Sequence, residues 1–168
     1  WIGPSQLNGV SFDAATYATP NTAIGDILTL FPFADVRNHS VGVAGNTPTQ
    51  NSDNWDTAMG ALSAGGVMLV PVSFSVARTL VVDKACTIWF VDGATVTSDT
   101  VDNVGGLKIT ASDVTVKNFK YVGHGYDTTY LLEQGIWAYG TQASPISNIR
   151  LENCSVTGSR FTAYELEY

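Results

Sequence analysis

The clearest pattern in the sequence is a series of short apolar runs that alternate with polar residues from Val67 to the C-terminus. Alternation with a period of two places every second side chain on one face of a strand. The runs are rich in Val, Ile, Thr and aromatic residues, and turn-forming Gly, Asn and Asp separate them. The predicted strands lie within TLVVD, CTIWFVDGATV, GLKIT, DVTVKNFKYVG, GIWAYG, NIRLENCSVTG and FTAYELEY. This part of the chain is therefore predicted to be all-β.

Two of these segments repeat one another. SDVTVKNFKYVG (112–123) matches SNIRLENCSVTG (147–158), with Asn118 aligned to Asn153 and a shared apolar alternation. Asn tolerates the left-handed backbone of a sharp turn, and asparagines stacked in successive coils can hydrogen-bond to each other. A repeat of short strands is typical of a solenoid. We therefore favour a parallel β-helix over an antiparallel sandwich with Asn in its turns.

The neighbouring segments extend this repeat. GGLKIT (105–110), QGIWAY (134–139) and SRFTAY (159–164) each begin shortly after a turn that contains glycine. Each then alternates between apolar and polar residues in the manner of a strand. We expect these three segments to stack on one another in successive coils.

A compact unit at residues 52–76 precedes the strands. Ser52 and Asp53 are good N-cap residues, and Asp56 follows Asp53 at the spacing of a capping box. The pattern then places four apolar residues on one helix face: Trp55, Ala58, Met59 and Leu62. Gly65 and Gly66 are expected to end the helix. Because the open end of a solenoid exposes unpaired strand and apolar interior, we expect this helix to cap it.

The first part of the chain has a different composition. Residues 1–50 are rich in Gly, Pro, Thr, Asn and Ala, and Ala23–Phe31 alone shows the apolar spacing of a helix. Residues 41–53 are polar and favour turns, which predicts a loop. We divide the chain into an N-terminal neck or adaptor segment (1–50) and a capping helix with the first coils of a β-helix domain (51–168). The abrupt first and last residues lead us to expect that the domain continues beyond residue 168.

Charge and composition narrow the range of partners. The 168 residues contain 15 acidic and 8 basic side chains, a net charge of −7, which opposes binding to nucleic acid. No apolar run reaches the roughly 20 residues of a transmembrane helix, so no membrane insertion is expected. Cys86 and Cys154 lie in apolar contexts. We favour two buried free thiols over a disulfide or a pair of metal ligands.

The candidate acids do not form a recognisable catalytic motif. Acidic residues on or near the predicted coils are Asp127, Glu133, Glu152, Glu165 and Glu167. Glycoside hydrolases use two carboxylates, and Glu165 and Glu167 share one face of a predicted strand. Solvated acids on a strand surface are the favoured interpretation of that pair. No metal-ligand spacing or phosphate-binding glycine loop occurs. The catalytic residues therefore stay unassigned, and no cofactor or metal is expected.

The stretch between the two matched segments, residues 124–147, is longer than one turn of a coil requires. It contains four aromatic residues that could stack on sugar rings: Tyr126, Tyr130, Trp137 and Tyr139. Loops on a rigid scaffold are common binding sites. The favoured alternative is that Trp137 and Tyr139 pack inside the solenoid while the other two cover a coil edge. His124 with Asp127 could form an acid–base pair, but a solvated histidine is favoured.

The order of these motifs resembles that of the pectate-lyase-like right-handed parallel β-helix, in the version found in bacteriophage tailspikes. In that family an acidic loop leads into a short Ala-rich helix, a Gly-Gly stop, an apolar strand ending in Pro, and further short strands. The corresponding segments here are SDNWDTAMGALSAGG, VMLVP, FSV, RTLVV and DGATV. The resemblance covers residues 50–168 and implies an all-β fold entered through a capping helix.

The resemblance also implies a function. It predicts a virion-associated, extracellular tailspike that recognises and depolymerises host capsular polysaccharide or lipopolysaccharide. It further implies a homotrimer that docks on a phage tail or adaptor protein through its N-terminus. Two alternatives remain open at this point: a non-catalytic structural tail protein that uses the β-helix as a spacer, and a secreted bacterial polysaccharide lyase. Release of oligosaccharides would separate the first possibility from the spacer, and a signal peptide with a monomeric state would indicate the third.

Overall fold

Most strands of the described chain belong to three parallel sheets. The computed structural model describes residues 6–7, 10–11, 33–91, 93–98, 105–125, 133–159 and 161–167. Its elements are β1 (Gln6–Leu7), β2 (Val10–Ser11), β3 (Phe33–Asp35), a 3-10 helix (Val36–His39), α1 (Pro48–Ala61), β4 (Gly66–Val70), β5 (Phe74–Val76), β6 (Leu80–Val82), β7 (Cys86–Phe90), β8 (Thr95–Ser98), β9 (Leu107–Ile109), β10 (Val114–Lys117), β11 (Lys120–Val122), β12 (Gln134–Tyr139), β13 (Ile149–Glu152), β14 (Ser155–Thr157) and β15 (Thr162–Glu167). β1 and β2 form a separate antiparallel pair.

The chain visits the three sheets in the same order four times. We call each visit a coil: β4–β6, β7–β9, β10–β12 and β13–β15. Sheet 1 has the order β3-β4-β7-β10-β13, sheet 2 the order β5-β8-β11-β14, and sheet 3 the order β6-β9-β12-β15. All neighbours within these sheets are parallel. The predicted all-β class and parallel pairing are confirmed, and the antiparallel sandwich is wrong.

The core lies between the three sheets. Alternate residues of the first three coils point inward and are buried, as the period of two predicts. Aromatic rings connect the coils through this interior. Trp55 lies 6.5 Å from Phe90, measured between ring centroids, and Phe90 lies 4.9 Å from Phe119. Phe119 in turn stacks on Tyr121 at 6.2 Å. Each coil thus buries apolar side chains against the coil before it.

The repeat found in the sequence is confirmed for its first two strands. Val114 pairs with Ile149, and Lys120 with Ser155, in the register of the sequence match. Asn118 and Asn153 adopt the expected left-handed backbone, with φ of 58° and 52°. Their side chains do not hydrogen-bond to each other in the described structure, which corrects that part of the prediction.

A different turn contains the side-chain ladder. Asp113 and Asn148 also have left-handed backbones, with φ of 59° and 57°. The Asn148 Nδ2 donates to the Asp113 Oδ1 at 2.7 Å. The Asn148 amide supplies the donor and the Asp113 carboxylate the acceptor of this bond.

The expected stacking of the third strands is only partly correct. Leu107 pairs with Ile136, as the match of residues 105–110 with 134–139 predicts. In the next coil, however, Gln134 pairs with Thr162 and not with Ser159. Ser159 belongs to the preceding turn, where its hydroxyl donates to the Glu133 carbonyl at 2.8 Å. The strand therefore begins three residues later than expected.

The helix begins earlier than the sequence suggested. Thr47 is its N-cap and forms a capping box with Gln50, and Pro48 occupies the first turn. Asp53 and Asp56 lie within the helix and both form ion pairs with Arg78 at the corner between β5 and β6. The predicted N-caps at residues 52 and 53 are therefore wrong.

The end of the helix also differs from the prediction. α1 ends at Ala61, and the Lys84 ammonium donates to the Leu62 carbonyl at 3.0 Å. A cation at this position also interacts favourably with the helix dipole. Gly65 has the left-handed backbone that was expected, with φ of 77°, but it turns the chain into β4. The predicted apolar face is confirmed, because Trp55, Ala58, Met59 and Leu62 are buried.

Side chains of α1 bond to the backbone of the first coil at the edges of sheets 2 and 3. The Asn51 Nδ2 donates to the Ser75 carbonyl at 3.1 Å, and the Ser52 hydroxyl accepts from the Ala77 amide at 3.1 Å. The Trp55 indole donates to the Val81 carbonyl at 3.0 Å. In sheet 1, β3 pairs with β4 instead. These contacts satisfy backbone groups that an exposed edge would leave unpaired.

The N-terminal segment is only partly described. The predicted helix at Ala23–Phe31 lies outside the described residues. The predicted loop at residues 41–53 is a series of turns as far as Thr47, after which α1 begins. The boundary between residues 50 and 51 therefore falls inside α1, and the division into domains stays a prediction. No helix within the described ranges is long and apolar enough to cross a membrane.

Replacing Trp55 with Ala should lower the free energy of unfolding by about 3–5 kcal/mol, because a buried indole and its hydrogen bond to Val81 are both lost. Chemical denaturation followed by circular dichroism measures this change. Trp89→Ala is the control, because Trp89 lies on the outside of sheet 1 with 44% of its surface exposed. Equal losses in the two variants would contradict the capping role of α1.

Asn118→Ala should be less stable than Asn118→Gly by about 1–2 kcal/mol, because alanine is strained in the left-handed backbone while glycine is not. Denaturant titrations of the two variants measure the difference directly. Since the Asn118 side chain makes no bond to Asn153, the comparison isolates the backbone effect. Equal stability of the two variants would show that this corner tolerates another conformation.

Candidate functional site

Sheet 3 has an outward surface that combines aromatic and charged side chains. We call it the aromatic–acidic face, and it consists of Lys108, Trp137, Tyr139, Glu165 and Glu167. The pairing register brings these residues together, because Trp137 lies between Lys108 and Glu165, and Tyr139 lies beside Glu167. Adjacent strands in register place side chains of the same face within contact distance. Three successive coils therefore contribute to this face.

The two rings and the lysine form one packed group. The centroids of Trp137 and Tyr139 are 5.0 Å apart, in an edge-to-face arrangement at 65°. The Lys108 ammonium lies 4.1 Å from the Trp137 centroid and 4.4 Å from the Tyr139 centroid. These distances are within the range of cation–π attraction. The contacts hold both rings in a fixed position on the surface of the sheet.

The two carboxylates complete the face on the side of the fourth coil. The Glu167 Oε2 accepts from the Trp137 indole nitrogen at 3.1 Å. The Glu165 Oε2 accepts from the Thr162 hydroxyl at 3.1 Å and from the Gln134 side-chain amide. Within the described ranges, the Oε1 atoms of Glu165 and Glu167 accept no hydrogen bond. Each carboxylate is thus held through one oxygen, and its other oxygen is available to a ligand.

The preferred prediction for the aromatic pair was wrong. Trp137 and Tyr139 do alternate within a strand, but the apolar side chains that β12 buries are those of Ile136 and Ala138. The inward residues of β12 stack on Leu107 and Ile109, which leaves room for small and medium side chains. Alternation within the strand shows that Trp137 and Tyr139 share a face, but it does not decide which face is buried.

The paired carboxylates lie where the strand period placed them. Glu165 and Glu167 share the outward face of β15, which confirms the geometry predicted for residues two apart. The sequence pattern did not connect them with the aromatic pair. It also missed Lys108, although the match of residues 105–110 with 134–139 already aligned Lys108 with Trp137.

The other candidate acids have separate positions. Glu152 lies on sheet 1, where it pairs with Lys117 at 3.4 Å and Arg150 at 2.7 Å. Asp127, Tyr126 and Tyr130 lie outside the described residues, so the proposed pair of His124 with Asp127 stays a prediction. No group of three or more His, Cys, Asp or Glu side chains within the described chain could hold a metal ion.

Glu133 is fully buried at a corner of the third coil. Its Oε1 accepts from the Tyr121 hydroxyl at 2.8 Å, and its carboxylate accepts from the His124 amide at 3.1–3.2 Å. The His124 Nδ1 lies 3.5 Å from the same oxygen. A side chain at Gly123 would collide with this carboxylate, because its Cβ would lie 2.4 Å from Oε1. Glu133 thus has a structural role at the corner between β11 and β12.

Burial also shifts the pKa of Tyr121 and of both cysteines. Desolvation raises the pKa of Tyr121 well above its usual range, and the Glu133 carboxylate raises it further. The hydroxyl therefore stays protonated and serves as a donor. Burial likewise raises the pKa of the Cys86 thiol to about 11 and raises that of Cys154. Both cysteines are free thiols, as expected, but Cys86 is buried whereas Cys154 is only half-buried. Burial disfavours the reactive thiolate form of each.

Tyr121→Phe should lower the free energy of unfolding by about 1.5–3 kcal/mol, the range for a hydrogen bond to a charged group. The buried carboxylate loses a donor, while the packing of the ring changes little. A double-mutant cycle with Glu133→Leu, which removes both acceptor oxygens, isolates the interaction when it is measured by chemical denaturation. A coupling energy near zero would show that the hydroxyl does not stabilise the carboxylate.

The comparisons leave the family of the chain undetermined. Searches among protein families, characterised proteins and solved structures give no match. The resemblance to tailspikes therefore rests on the sequence motifs alone. The chemistry of the aromatic–acidic face has to be judged from its own geometry.

Proposed function

We propose that this chain belongs to a phage tailspike and that its aromatic–acidic face contacts the surface polysaccharide of the host. The single observation that carries the proposal is the outward position of Trp137 and Tyr139, held beside two carboxylates and a lysine. The proposed protein recognises and then depolymerises host capsular polysaccharide or lipopolysaccharide. The face serves the recognition step, and no residue of this chain is assigned to cleavage.

The arrangement of the strands supports the fold that this proposal requires. Four coils pass in the same order through three parallel sheets, and α1 packs at the start of the stack. We assign the coils to a right-handed, pectate-lyase-like β-helix, since parallel crossovers within a sheet are right-handed in nearly all proteins. The proposal includes a homotrimer whose residues 1–50 dock on a phage tail or adaptor protein.

The chemistry of the face suits a sugar ligand. An aromatic ring offers an apolar surface to the C–H groups of a pyranose, and neighbouring polar groups bind its hydroxyls. The available Oε1 atoms of Glu165 and Glu167 accept hydrogen bonds from hydroxyls, and the Lys108 ammonium donates to hydroxyl oxygens. Because ring packing and hydrogen bonds already fix these side chains, little conformational entropy is lost on binding.

The flatness of the site also fits a polymer. The five side chains come from three adjacent strands of one sheet and therefore follow the direction in which the coils stack. Successive coils lie about 4.8 Å apart, close to the length of one sugar unit. A polysaccharide laid across the strands could contact several coils at once.

Trp137→Ala should weaken polysaccharide binding by about tenfold or more, which corresponds to about 1.4 kcal/mol of lost contact. The probes are purified bacterial capsular polysaccharides and lipopolysaccharide O-chains, titrated by microscale thermophoresis. Trp89→Ala is the matched control, because this tryptophan also points outward from its strand but lies on sheet 1. We expect it to bind within twofold of the unaltered chain.

Two outcomes would contradict the proposal. Equal weakening in both tryptophan variants would show that the face on sheet 3 is not the contact. A lack of binding to every glycan in the panel, together with no oligosaccharide release by the full-length protein, would favour a rigid structural spacer. Circular dichroism of each variant establishes that the fold is intact before binding is compared.

A further inference from the structure

We infer that the polysaccharide bound by the aromatic–acidic face is uncharged. This inference rests on the proposed function and specifies the class of its ligand. The face offers two carboxylates and one ammonium to a polymer that crosses it. The positions of these charged groups determine which of them a bound ligand contacts.

The distribution of charge on sheet 3 is unequal. The four strands of this sheet contain one cation, Lys108, and two anions, Glu165 and Glu167. Lys108 forms no ion pair within the described residues, and its ammonium lies over the two aromatic rings. Neither Glu165 nor Glu167 is therefore paired with this lysine. The net charge of the whole chain, −7, has the same sign as these two carboxylates.

An uncharged glycan gains from this arrangement. Its hydroxyls donate to the available oxygens of Glu165 and Glu167, and hydrogen bonds to a carboxylate are stronger than those between neutral groups. The second oxygen of each carboxylate is already held by Trp137, or by Gln134 and Thr162. The acceptors are thus oriented before a ligand arrives. A neutral sugar can therefore donate its hydroxyls to these carboxylate oxygens without placing a further negative charge beside them.

An acidic glycan loses at the same two positions. A uronic acid or sialic acid carboxylate placed over the rings would lie near two like charges and only one opposite charge. Like charges on this outward face repel at contact distance, and the long-range field of the chain also slows the approach of a polyanion. We therefore expect an acidic polymer to bind at least about tenfold more weakly than its uncharged counterpart.

The test compares one polysaccharide backbone in two charge states. The probes are capsular polysaccharides that contain uronic acid, each used in its native form and after chemical reduction of the carboxyl groups to primary alcohols. O-chains without acidic sugars are included as naturally neutral probes. We expect the unaltered chain to bind the reduced form about tenfold more tightly than the native form. Because salt screens like charges, the ratio should shrink between 0.05 M and 1 M NaCl.

Two variants test whether the preference for the uncharged polysaccharide arises at the aromatic–acidic face. In Glu165→Gln/Glu167→Gln the amide oxygens still accept hydrogen bonds, so we expect the ratio of the two affinities to fall toward one. Glu152→Gln is the matched control, because it removes a carboxylate from sheet 1, and the ratio should stay within twofold of that of the unaltered chain.

The outcomes of this experiment separate a failure of the inference from a failure of the proposed function. Tighter binding of the native acidic form, abolished by Lys108→Met, would overturn the inference while leaving glycan recognition in place. Equal binding of both forms would also overturn it. If no polysaccharide binds in either form, the proposed function itself fails. If Glu152→Gln changes the ratio as much as the double variant, the preference belongs to the overall charge and the assignment to this face is wrong.

Discussion

Backbone pairing between successive coils is the interaction on which the other features of this structure depend. Each coil lies in register on the one before it, so an inward residue meets an inward residue and an outward residue meets an outward one. The same register that places Ile88 beside Val116 in the interior also places Lys108 beside Trp137 on the surface. A shift of one residue in β12 would bury its aromatic pair and remove the candidate site.

Backbone pairing leaves unpaired groups on the first strand of each sheet. At the start of the stack these groups find hydrogen-bond partners in two different ways. In sheet 1 another strand continues the ladder, because β3 lies beside β4. In sheets 2 and 3 single side chains of α1 bond to the backbone, chiefly Asn51, Ser52 and Trp55. Trp55 has a second role, since its ring also begins the aromatic column of the interior. The helix thus contributes both polar and apolar contacts to the first coil.

The sequence predicted the strands well because alternation and turn residues are local signals. It also predicted the parallel stacking through the repeat around Asn118 and Asn153. It did not predict which face of β12 is buried, since both of its alternate faces are apolar and only the space inside the coil decides between them. The start of β15 was misplaced because Ser159 bonds to Glu133, a contact between distant residues that no local pattern reveals. The buried position of Glu133 was missed for the same reason.

The spacing between paired strands has a consequence for how such a chain could change. Gly66 pairs with Cys86, 20 residues later, whereas Val114 pairs with Ile149, 35 residues later. The strands are of similar length in both cases, so the additional residues lie in the connections between them. Insertions at those corners would therefore leave the register of the stack unchanged. A designer could therefore vary the length of the connection between β11 and β12 with the underlying coils kept as they are.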